Sequence, residues 1–463
     1  MMNDTICAIA TAPGTGAIAV IRVSGPKAFE ITDRLFNPAN EKKQLSTQES
    51  HTVLFGHLEK EGLLIDEVVV TIFRGPHSFT GEDSVEISCH GSGYIQQKII
   101  RLLIDEGCRM AQPGEYTRRA FMNGKMDLSQ AEAVADLIAA TSASNHKLAL
   151  QQMRGGISKE IDKLRTELLH FVTMIELELD FSEEQVEFAD RKDLKELATK
   201  LEKRLHGLTS SFCLGNALKN GIPVAIVGET NAGKSTLLNQ LLNEEKAIVS
   251  NIPGTTRDVI EDLVNISGIA FRFIDTAGLR QTKDEIELLG IERTYKQIEQ
   301  ASIILWIIDS TKVTEHIEWM AERIIPRSKG KTLIVLFNKT DKITKEEQVV
   351  LDNLFKNYSN HRLHISAKKG ENLDLLKAEL LEMAGLPDLA RQDIIITNLR
   401  HYEALKLALE AIRRVQDGLR ENRSSEFLSQ DLRECIHYLG EITGVITTEE
   451  VLQNIFQHFC IGK

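Results

Sequence analysis

Short apolar or alternating runs, most of them bounded by glycine or proline, dominate the first quarter of this chain. The runs at 16–23 and 66–73 are apolar, and the run at 84–89 alternates between apolar and polar residues, as half-buried β-strands do. Segments with helical character lie between them, around 26–35 and 93–106. This mixture predicts an N-terminal α+β domain.

The pattern changes after about residue 128, where apolar residues recur at three- and four-residue spacing. Leu164, Leu168, Phe171 and Ile175 would share one face of a long helix, which Gly155-Gly156 should interrupt. Four further segments fit the same period; they lie at 192–208, 398–416, 429–438 and 448–459. We therefore expect an α-helical domain built from two stretches of chain.

Strands and helices alternate in the interval between the two helical stretches. The apolar run Ile222–Val227 precedes a glycine-rich turn, and Ser235–Leu242 has the composition of the helix after it. Apolar runs at 303–308 and 332–337 predict buried strands. An α/β domain inserted into a helical domain must have its two ends close together. The predicted domains are 1–120, 121–216, 217–384 and 385–463.

Composition narrows the class of protein without deciding its function. The 463 residues suffice for two or three domains, and 26% charged and 42% hydrophobic residues are ordinary for a globular protein. The net charge of −12 argues against wholesale nonspecific binding of nucleic acid. The six cysteines form no C-x-x-C pair, which favours a reducing cytosol without disulfides or structural zinc. With no secretory signal or spanning segment evident, we expect a cytoplasmic protein that has no membrane partner.

Residues 228–235, Gly-Glu-Thr-Asn-Ala-Gly-Lys-Ser, match the phosphate-loop pattern G-x-x-x-x-G-K-[ST] between a predicted strand and a predicted helix. Glycines let backbone N–H groups surround a phosphate, and the helix N-terminus favours negative charge. Lys234 can reach the β- and γ-phosphates, and Ser235 can ligate Mg²⁺. The phosphate-binding residues are predicted to be Asn231, Ala232, Gly233, Lys234, Ser235 and Thr236.

Three later motifs follow in the order that a GTPase requires. Asp275-Thr-Ala-Gly278 comes after an apolar run, so Asp275 should hold Mg²⁺ and the Gly278 N–H should sense the γ-phosphate. Asn338-Lys-Thr-Asp341 follows a buried strand; the Asp341 carboxylate can accept from two guanine donors that adenine lacks, and Lys339 can cover the base. Ser366-Ala-Lys368 offers the N–H of Ala367 to the guanine oxygen. Together these motifs predict a Ras-like α/β P-loop GTPase domain.

One expected catalytic part is absent. Leu279 follows the Asp275–Gly278 motif where a glutamine would orient the attacking water, and leucine cannot do so. Glu285 and Glu287 are the alternative water-positioning candidates in the polar stretch that follows. Upstream, Thr256 is the predicted second protein ligand of Mg²⁺, with Thr255 beside it.

Motifs outside the nucleotide domain make the whole chain resemble the MnmE (TrmE) family of tRNA-uridine modification GTPases. The resemblance implies an N-terminal domain that binds a tetrahydrofolate derivative, 5,10-methylene- or 5-formyl-tetrahydrofolate, and that forms a homodimer. It also implies folate contacts at Arg22, Glu86, Lys125 and Lys463, and a role for Cys460 in the modification chemistry. The motifs that carry it are Ala12–Gly16, Ile21–Gly25, Ser78–Asp83, His90–Gly91, Pro113–Phe121, Leu128–Ala133 and Phe459–Lys463.

The same resemblance implies how hydrolysis and modification proceed. K⁺ would activate hydrolysis as G domains pair across the dimer, held by Asn231, Ser250, Thr255 and the carbonyl of Ile252, while Glu287 would position the water. The family works on tRNA with an FAD-dependent partner, MnmG, in a heterotetramer or larger complex. Together they place an aminomethyl or carboxymethylaminomethyl group at C5 of the wobble uridine.

Two other interpretations stay open at the level of sequence. A ribosome-assembly or RNA-binding GTPase switch would share the nucleotide motifs, although no appended basic module is obvious. Alternatively, the N-terminal domain is a folate-dependent transferase that the GTPase only regulates. The candidate phosphate contacts for tRNA are Arg118, Arg119, Arg413, Arg414 and Arg420, but we favour solvated surface charge for each.

Overall fold

The protein is described by a computed structural model. It covers residues 4–40, 43–180, 191–245, 262–274, 295–312, 316–384, 394–421, 423–457 and 459–462. Contacts within the chain define two compact units, and both are discontinuous in sequence. Unit 1 comprises Met1–Ala135, Gln152–Lys195 and Ala411–Lys463, and unit 2 comprises Asp136–Gln151 and Glu196–Glu410.

The N-terminal part of unit 1 is a seven-stranded sheet with strand order β3-β4-β5-β6-β2-β1-β7. All neighbours are antiparallel except β1 and β7, which are parallel. The strands are β1 Ile6–Ile9, β2 Ile18–Ser24, β3 Phe36–Pro38, β4 Thr52–Lys60, β5 Leu63–Phe73, β6 Ser84–His90 and β7 Arg109–Met110.

Alternation along the strands gives this sheet two unlike faces. Ala19, Ile21 and Val23 of β2 are buried in a core that also contains residues of the helices α1 (Ala28–Asp33) and α2 (Gly93–Asp105). The intervening residues of β2 point to the opposite face, because successive side chains of a strand alternate. That second face carries Arg22 and Glu86, two of the four candidate folate residues.

The rest of unit 1 is helical, as the three- and four-residue spacing predicts. Leu164, Leu168 and Ile175 are buried along α6, which packs against α14. The break at Gly155-Gly156 is confirmed, since α5 ends at Met153 and α6 begins at Gly156. The helices that lie wholly or mostly in unit 1, beyond α1 and α2, are α3 Glu115–Met122, α4 Leu128–Ile138, α6 Gly156–Asp180, α14 Ser425–Thr443 and α15 Glu449–Phe456.

Unit 2 contains a six-stranded sheet with order β13-β12-β11-β8-β10-β9, parallel except for the β9–β10 pair. Every residue of β11 is buried, because helices cover both faces of the sheet. In such sheets ligands bind beyond the carboxyl ends of the strands. The strands are β8 Ile222–Gly228, β9 Asp262–Ile266, β10 Ile269–Phe273, β11 Ile303–Asp309, β12 Thr332–Asn338 and β13 His361–His364.

The helices of unit 2 flank this sheet or extend the helical part of the chain. They are α5 Ala143–Met153, α7 Arg191–Ser210, α8 Phe212–Asn220, α9 Lys234–Glu245, α10 His316–Arg327, α11 Lys345–Leu354, α12 Leu373–Met383 and α13 Leu399–Arg420, of which α5, α7 and α13 also run into unit 1. A multidomain chain with an α+β N-terminal domain, a helical domain and an α/β P-loop domain is thus confirmed. No helix in the described ranges is both long and apolar enough to cross a membrane.

Candidate functional site

The phosphate loop lies between β8 and α9, and its backbone depends on residues that adopt positive φ. Gly228 and Gly233 have φ of 154° and 106°, and Asn231 has φ of 64°. A Cβ on Gly233 would lie 2.1 Å from Nδ2 of Asn338. Position 233 therefore accepts only glycine, both for its conformation and for its closeness to the neighbouring loop.

Lys234 begins helix α9 and reaches back across this loop. Its Nζ donates to the carbonyl oxygens of Gly228 and Glu229, at 2.7 Å each. Burial lowers the pKa of Lys234, although the charge of Glu229 opposes that effect. The ammonium group is thus held over the part of the loop where a phosphate would bind.

Asn338 connects the phosphate loop with the loop that follows β13. Its Nδ2 donates to the carbonyl of Ala232 at 2.7 Å, and its Oδ1 accepts from the N–H of Ala367 at 2.9 Å. The side chain is buried. Asn338 stays a predicted nucleotide contact, and its two hydrogen bonds join the phosphate loop to the loop after β13.

The Asp341 carboxylate is oriented by a residue of the neighbouring 366–368 loop. The Ser366 hydroxyl donates to Asp341 Oδ1 at 2.9 Å, and this hydrogen bond lowers the pKa of Asp341. The Lys369 ammonium lies 3.7 Å from the other carboxylate oxygen. Ala367 is buried and Lys368 is exposed. The carboxylate is held ionised, as an acceptor of two guanine N–H groups must be.

A buried partner of Lys339 was missing from the predicted site. Lys339 has φ of 66°, and its ammonium forms an ion pair with Asp309, the last residue of β11. Burial raises the pKa of Asp309, but hydrogen bonds from Lys339 and Thr311 outweigh burial and bring the pKa below its usual value. A carboxylate ending an otherwise apolar parallel strand is the sequence signal that could have identified it.

The predicted Mg²⁺ ligand Ser235 and the predicted phosphate contact Thr236 follow Lys234 in the first turn of α9. The nucleotide, metal and hydrolysis candidates between Ser250 and Glu287 lie outside the described residues. These are Ser250, Ile252, Thr255, Thr256, Asp275, Gly278, Leu279, Glu285 and Glu287.

A second candidate site lies on the second face of the unit 1 sheet. Arg22 and Glu86 are directly opposite each other on β2 and β6. Glu86 Oε1 accepts from Arg22 Nε at 2.9 Å and from Nη2 at 2.7 Å. The guanidinium also lies 5.4 Å from the ring centre of Phe79 and 5.6 Å from that of Tyr116, within the range of cation–π attraction.

The last described residues of the chain come to the same place. Gly462, with φ of 97°, has its carbonyl oxygen 3.5 Å from Arg22 Nη1. A Cβ on Gly462 would lie 2.3 Å from the carbonyl oxygen of Ile9 in β1. The carbonyl of Cys460 accepts from the N–H of Gly114 at 3.4 Å, and the Cys460 residue is exposed. The C-terminal tail thus borders the Arg22–Glu86 pair with a free thiol nearby.

The remaining two folate predictions are not joined to this pair. Lys125 is exposed and its ammonium donates to the carbonyl of Pro76 at 2.7 Å. Lys463 lies outside the described residues.

Our interpretation of Arg119 as a solvated surface charge is wrong. Its side chain is 1% exposed and forms ion pairs with Asp4, Glu82 and Glu115. Ser24, two residues after Arg22, also donates to Glu82 at 2.9 Å. This buried network therefore ties the 78–83 segment and α3 to the strand that carries Arg22.

Comparisons with known proteins cover the whole chain. A family model described as "MnmE helical domain" matches residues 128–460, and one described as "GTP-binding protein TrmE N-terminus" matches residues 5–125. "tRNA modification GTPase MnmE" of Bacteroides thetaiotaomicron is 60% identical over 100% of both chains. The protein of the same name from Parabacteroides distasonis is 58% identical over 99% of this chain and 100% of its own.

Among solved structures, Aquifex aeolicus Era bound to GDP·AlF4⁻ is 33% identical. The match covers 41% of this chain and 65% of Era, with a TM-score of 0.29. The G domain of the Thermotoga maritima FeoB iron transporter is 25% identical over 35% of this chain and 98% of its own, with a TM-score of 0.26. Superpositions this poor add nothing to the argument on fold, which stands on the sheets themselves.

Proposed function

The chain belongs to the MnmE family of tRNA modification GTPases, and we propose that its GTPase cycle supports modification of the tRNA wobble uridine. Together with the FAD-dependent protein MnmG, in a heterotetramer or larger complex, it installs an aminomethyl or carboxymethylaminomethyl group at C5 of that base. When bound, a 5,10-methylene- or 5-formyl-tetrahydrofolate would supply the one-carbon unit. A cytoplasmic location, where tRNA is modified, belongs to the same proposal.

The observation that carries this proposal is the C-terminal tail beside the Arg22–Glu86 pair. Both Arg22 bonds fall on Oε1 of Glu86, and no described residue pairs with Oε2. Oε2 is therefore available to accept hydrogen bonds from the donor edge of a pterin ring. Such bonds matter because a ligand that covered this oxygen without donating to it would leave a buried acceptor unpaired, which costs free energy. Arg22, flanked by two aromatic rings, offers both charge and a planar surface.

In this arrangement the Glu86 carboxylate accepts hydrogen bonds from the pterin ring, and Arg22 holds that carboxylate in position. Lys125 and Lys463 would pair with the carboxylates of the folate tail. Cys460 would present its thiol to the reacting groups or help to position them. The tail closes one side of the site, since Gly462 is in van der Waals contact with β1.

In the nucleotide domain, Asp341 selects guanine and Lys234 neutralises phosphate charge. Mg²⁺ would be held by Ser235 and Thr256, with Asp275 acting through water. K⁺ would be held by Asn231, Ser250, Thr255 and the carbonyl of Ile252. Asn231 fits this role, because its left-handed backbone conformation places it at the outer, exposed part of the phosphate loop. Glu287 would orient the attacking water that Leu279 cannot.

Exposed apolar residues support the proposed homodimer. Phe55 on β4 pairs with Val69 on β5, and both point away from the core; Phe55 is 56% exposed. Val53, next but one to Phe55, is exposed as well. Apolar residues clustered on an open sheet face are typical of an interface. A second copy of this chain fits such a face, because a two-fold interface is self-complementary.

GTP turnover by the purified protein in K⁺ and in Na⁺ at matched ionic strength, with ATP as control, tests the catalytic half of the proposal. Rapid turnover of GTP only in K⁺ supports it, and equal slow rates in both salts would contradict K⁺ activation. Glu287→Ala should slow turnover in K⁺ while GTP affinity stays unchanged; full activity would assign the water to another group.

Binding of 5-formyl-tetrahydrofolate, followed by calorimetry, tests the other half and separates this function from that of a ribosome-assembly GTPase. Glu86→Gln should weaken binding, because the amide nitrogen opposes pterin donors. Glu67→Gln changes an exposed carboxylate of β5 in the same way and is the matched control. If the wild-type protein does not bind the folate, or Glu86→Gln binds as tightly, the pair does not form the folate site. Modification of tRNA by a GTPase-dead Lys234→Ala protein would favour the purely regulatory role of the G domain.

A further inference from the structure

A histidine–aspartate pair lies on the unit 1 sheet, apart from the Arg22–Glu86 pair. His90, the last residue of β6, has its Nδ1 2.7 Å from Oδ1 of Asp66. The other oxygen of Asp66 accepts from the backbone N–H of His90 at 2.8 Å. Asp66 is buried, whereas the His90 side chain is 67% exposed.

This pair does more than satisfy the end of a strand. A single carboxylate oxygen suffices to cap the backbone N–H of His90, so the second oxygen is used to orient the ring. Because Nδ1 donates to the carboxylate, Nε2 points away from it as the free nitrogen of the ring. Fixing the exposed His90 ring in one orientation costs side-chain entropy, whereas a histidine that is only solvated keeps its rotational freedom.

The surroundings of His90 combine exposed apolar or aromatic surface with positive charge. Ile18, directly opposite His90 on β2, is 68% exposed, and Tyr94 in the first turn of α2 is 73% exposed. Lys98 and Arg101 follow Tyr94 at i+4 and i+7, so all three lie on one side of the helix. Neither Lys98 nor Arg101 forms an ion pair with any residue in the described part of the chain.

We propose that His90, Tyr94, Lys98 and Arg101, here called the His90 surface, bind the tRNA substrate. Lys98 and Arg101 contact backbone phosphates, Tyr94 stacks on an unpaired base, and His90 Nε2 hydrogen-bonds to a phosphate or base edge. Aromatic stacking next to cations is how proteins bind unpaired loops of RNA. In a chain with net charge −12, unpaired cations in one place give the local positive site that RNA requires.

The position of the surface suits a substrate whose reacting base reaches the Arg22–Glu86 pair. Residues 18 and 22 of β2, like 86 and 90 of β6, share a face because their separation is even. Four residues of strand separate the two sites by about 13 Å. Of the four residues, His90 alone is in register with this face, because α2, which carries Tyr94, Lys98 and Arg101, packs on the core face. An RNA loop bound to α2 would therefore pass the end of β6 at His90 to reach the Arg22–Glu86 pair, and the inference rests on the proposed function for its choice of RNA.

Fluorescence anisotropy with a labelled anticodon stem-loop RNA carrying uridine at the wobble position tests this inference without folate, GTP or MnmG. Lys98→Ala/Arg101→Ala should weaken binding at least tenfold and reduce the slope of log affinity against log salt by about 1.4–1.8, as expected for two lost phosphate contacts. The matched control is Lys27→Ala/Lys43→Ala, which removes two exposed lysines of the same domain and should leave affinity and slope unchanged.

The aromatic contact has its own control. Tyr94→Ser should weaken binding between about fivefold and hundredfold, whereas Tyr94→Phe, which keeps the ring, should bind as the wild type does. His90→Ala and Asp66→Asn should weaken binding to a similar degree, since each removes the oriented Nε2. GTP turnover and the thermal unfolding midpoint of the variants check that they are folded.

Three results would overturn the inference. They are absence of RNA binding by the wild-type protein, equal binding by the surface variants and the lysine control, and loss of the dimer in the variants by light scattering. The last would assign the surface to the contact between subunits. Folate binding and the K⁺ dependence of GTP turnover are measured separately, so none of these results would touch the proposed function itself.

Discussion

Replacing Asn338 with alanine should uncouple the two loops that surround a bound guanine nucleotide. The substitution removes the bond from Nδ2 to the Ala232 carbonyl and the bond from the Ala367 N–H to Oδ1. Ala367 is fully buried, so its N–H would lose its partner where water does not reach it. An unsatisfied buried donor costs about 1–3 kcal/mol.

The loss should appear mainly in nucleotide affinity. Binding requires the phosphate loop and the 366–368 loop to be at a fixed separation, which Asn338 sets without a ligand. If about 2 kcal/mol of that preorganisation is lost, the Kd for GDP rises about 30-fold. A fluorescent GDP analogue in a stopped-flow instrument gives both rate constants, and we expect most of the change in dissociation.

Two further variants make the measurement decisive. Asn338→Asp keeps an acceptor for Ala367 but turns an oxygen toward the Ala232 carbonyl, so it should disturb the phosphate loop alone. Asn353→Ala changes an exposed asparagine of α11 and should leave affinity unaltered. A Kd for Asn338→Ala within about threefold of wild type, less than 1 kcal/mol, would refute the bracing role.

Other substitutions test the remaining contacts. Asp341→Asn should shift preference from guanine to xanthine nucleotides, measured by competition, because the amide donates where the carboxylate accepts; a retained guanine preference would contradict the assignment. Glu115→Gln should lower the free energy of unfolding in urea by about 3 kcal/mol at pH 7, since the buried Arg119 loses one of its ionic partners. Burial raises the pKa of Glu115, but Arg109, the N–H of Gln112 and Arg119 together bring the pKa below its ordinary 4.5. The stabilisation that the Glu115 carboxylate gives the folded protein is therefore complete above pH 4.5 and is lost as the pH falls through the lower folded pKa. Below that pKa the wild-type and Glu115→Gln proteins should have equal free energies of unfolding. Gly462→Val should abolish folate binding, measured by calorimetry, because the new side chain displaces the tail from Ile9, while GTP turnover stays unchanged. Tight folate binding by this variant would show that the tail is not part of the folate site.

The sequence pattern was sufficient to predict a strand or helix wherever the residues of that segment alone determine its structure. The strand ending in Asn338 and the helix beginning at Lys234 were predicted because apolar runs and the phosphate-loop spacing are local signals. Strand β4, Thr52–Lys60, was not predicted, because polar residues interrupt its apolar ones and weaken the local signal. Its pairing with β5, which a local pattern does not show, stabilises it as a strand.

Side-chain roles that depend on distant partners could not be predicted in this way. Arg119 has the spacing of a surface residue, but its partners at positions 4 and 82 meet it only after the sheet forms. The position of Asp309 at the end of an apolar strand marks it as a site candidate, but its ion pair with Lys339 follows from the pairing of β11 with β12. Register across a sheet is decided by burial of a whole face, which no single segment encodes.

The two sites differ in how far apart in the sequence their residues are. The described residues of the guanine site lie between Gly228 and Lys369, within one α/β sheet and its loops. The Arg22–Glu86 site needs β2, β6 and the tail at Gly462, which are separated by most of the sequence. The tail reaches β1 only if 411–463 packs within unit 1, and α13 and α14 carry it there. Folding of the C-terminal stretch within unit 1 is therefore a condition for the Arg22–Glu86 site, whereas the described guanine-site residues include none of that stretch.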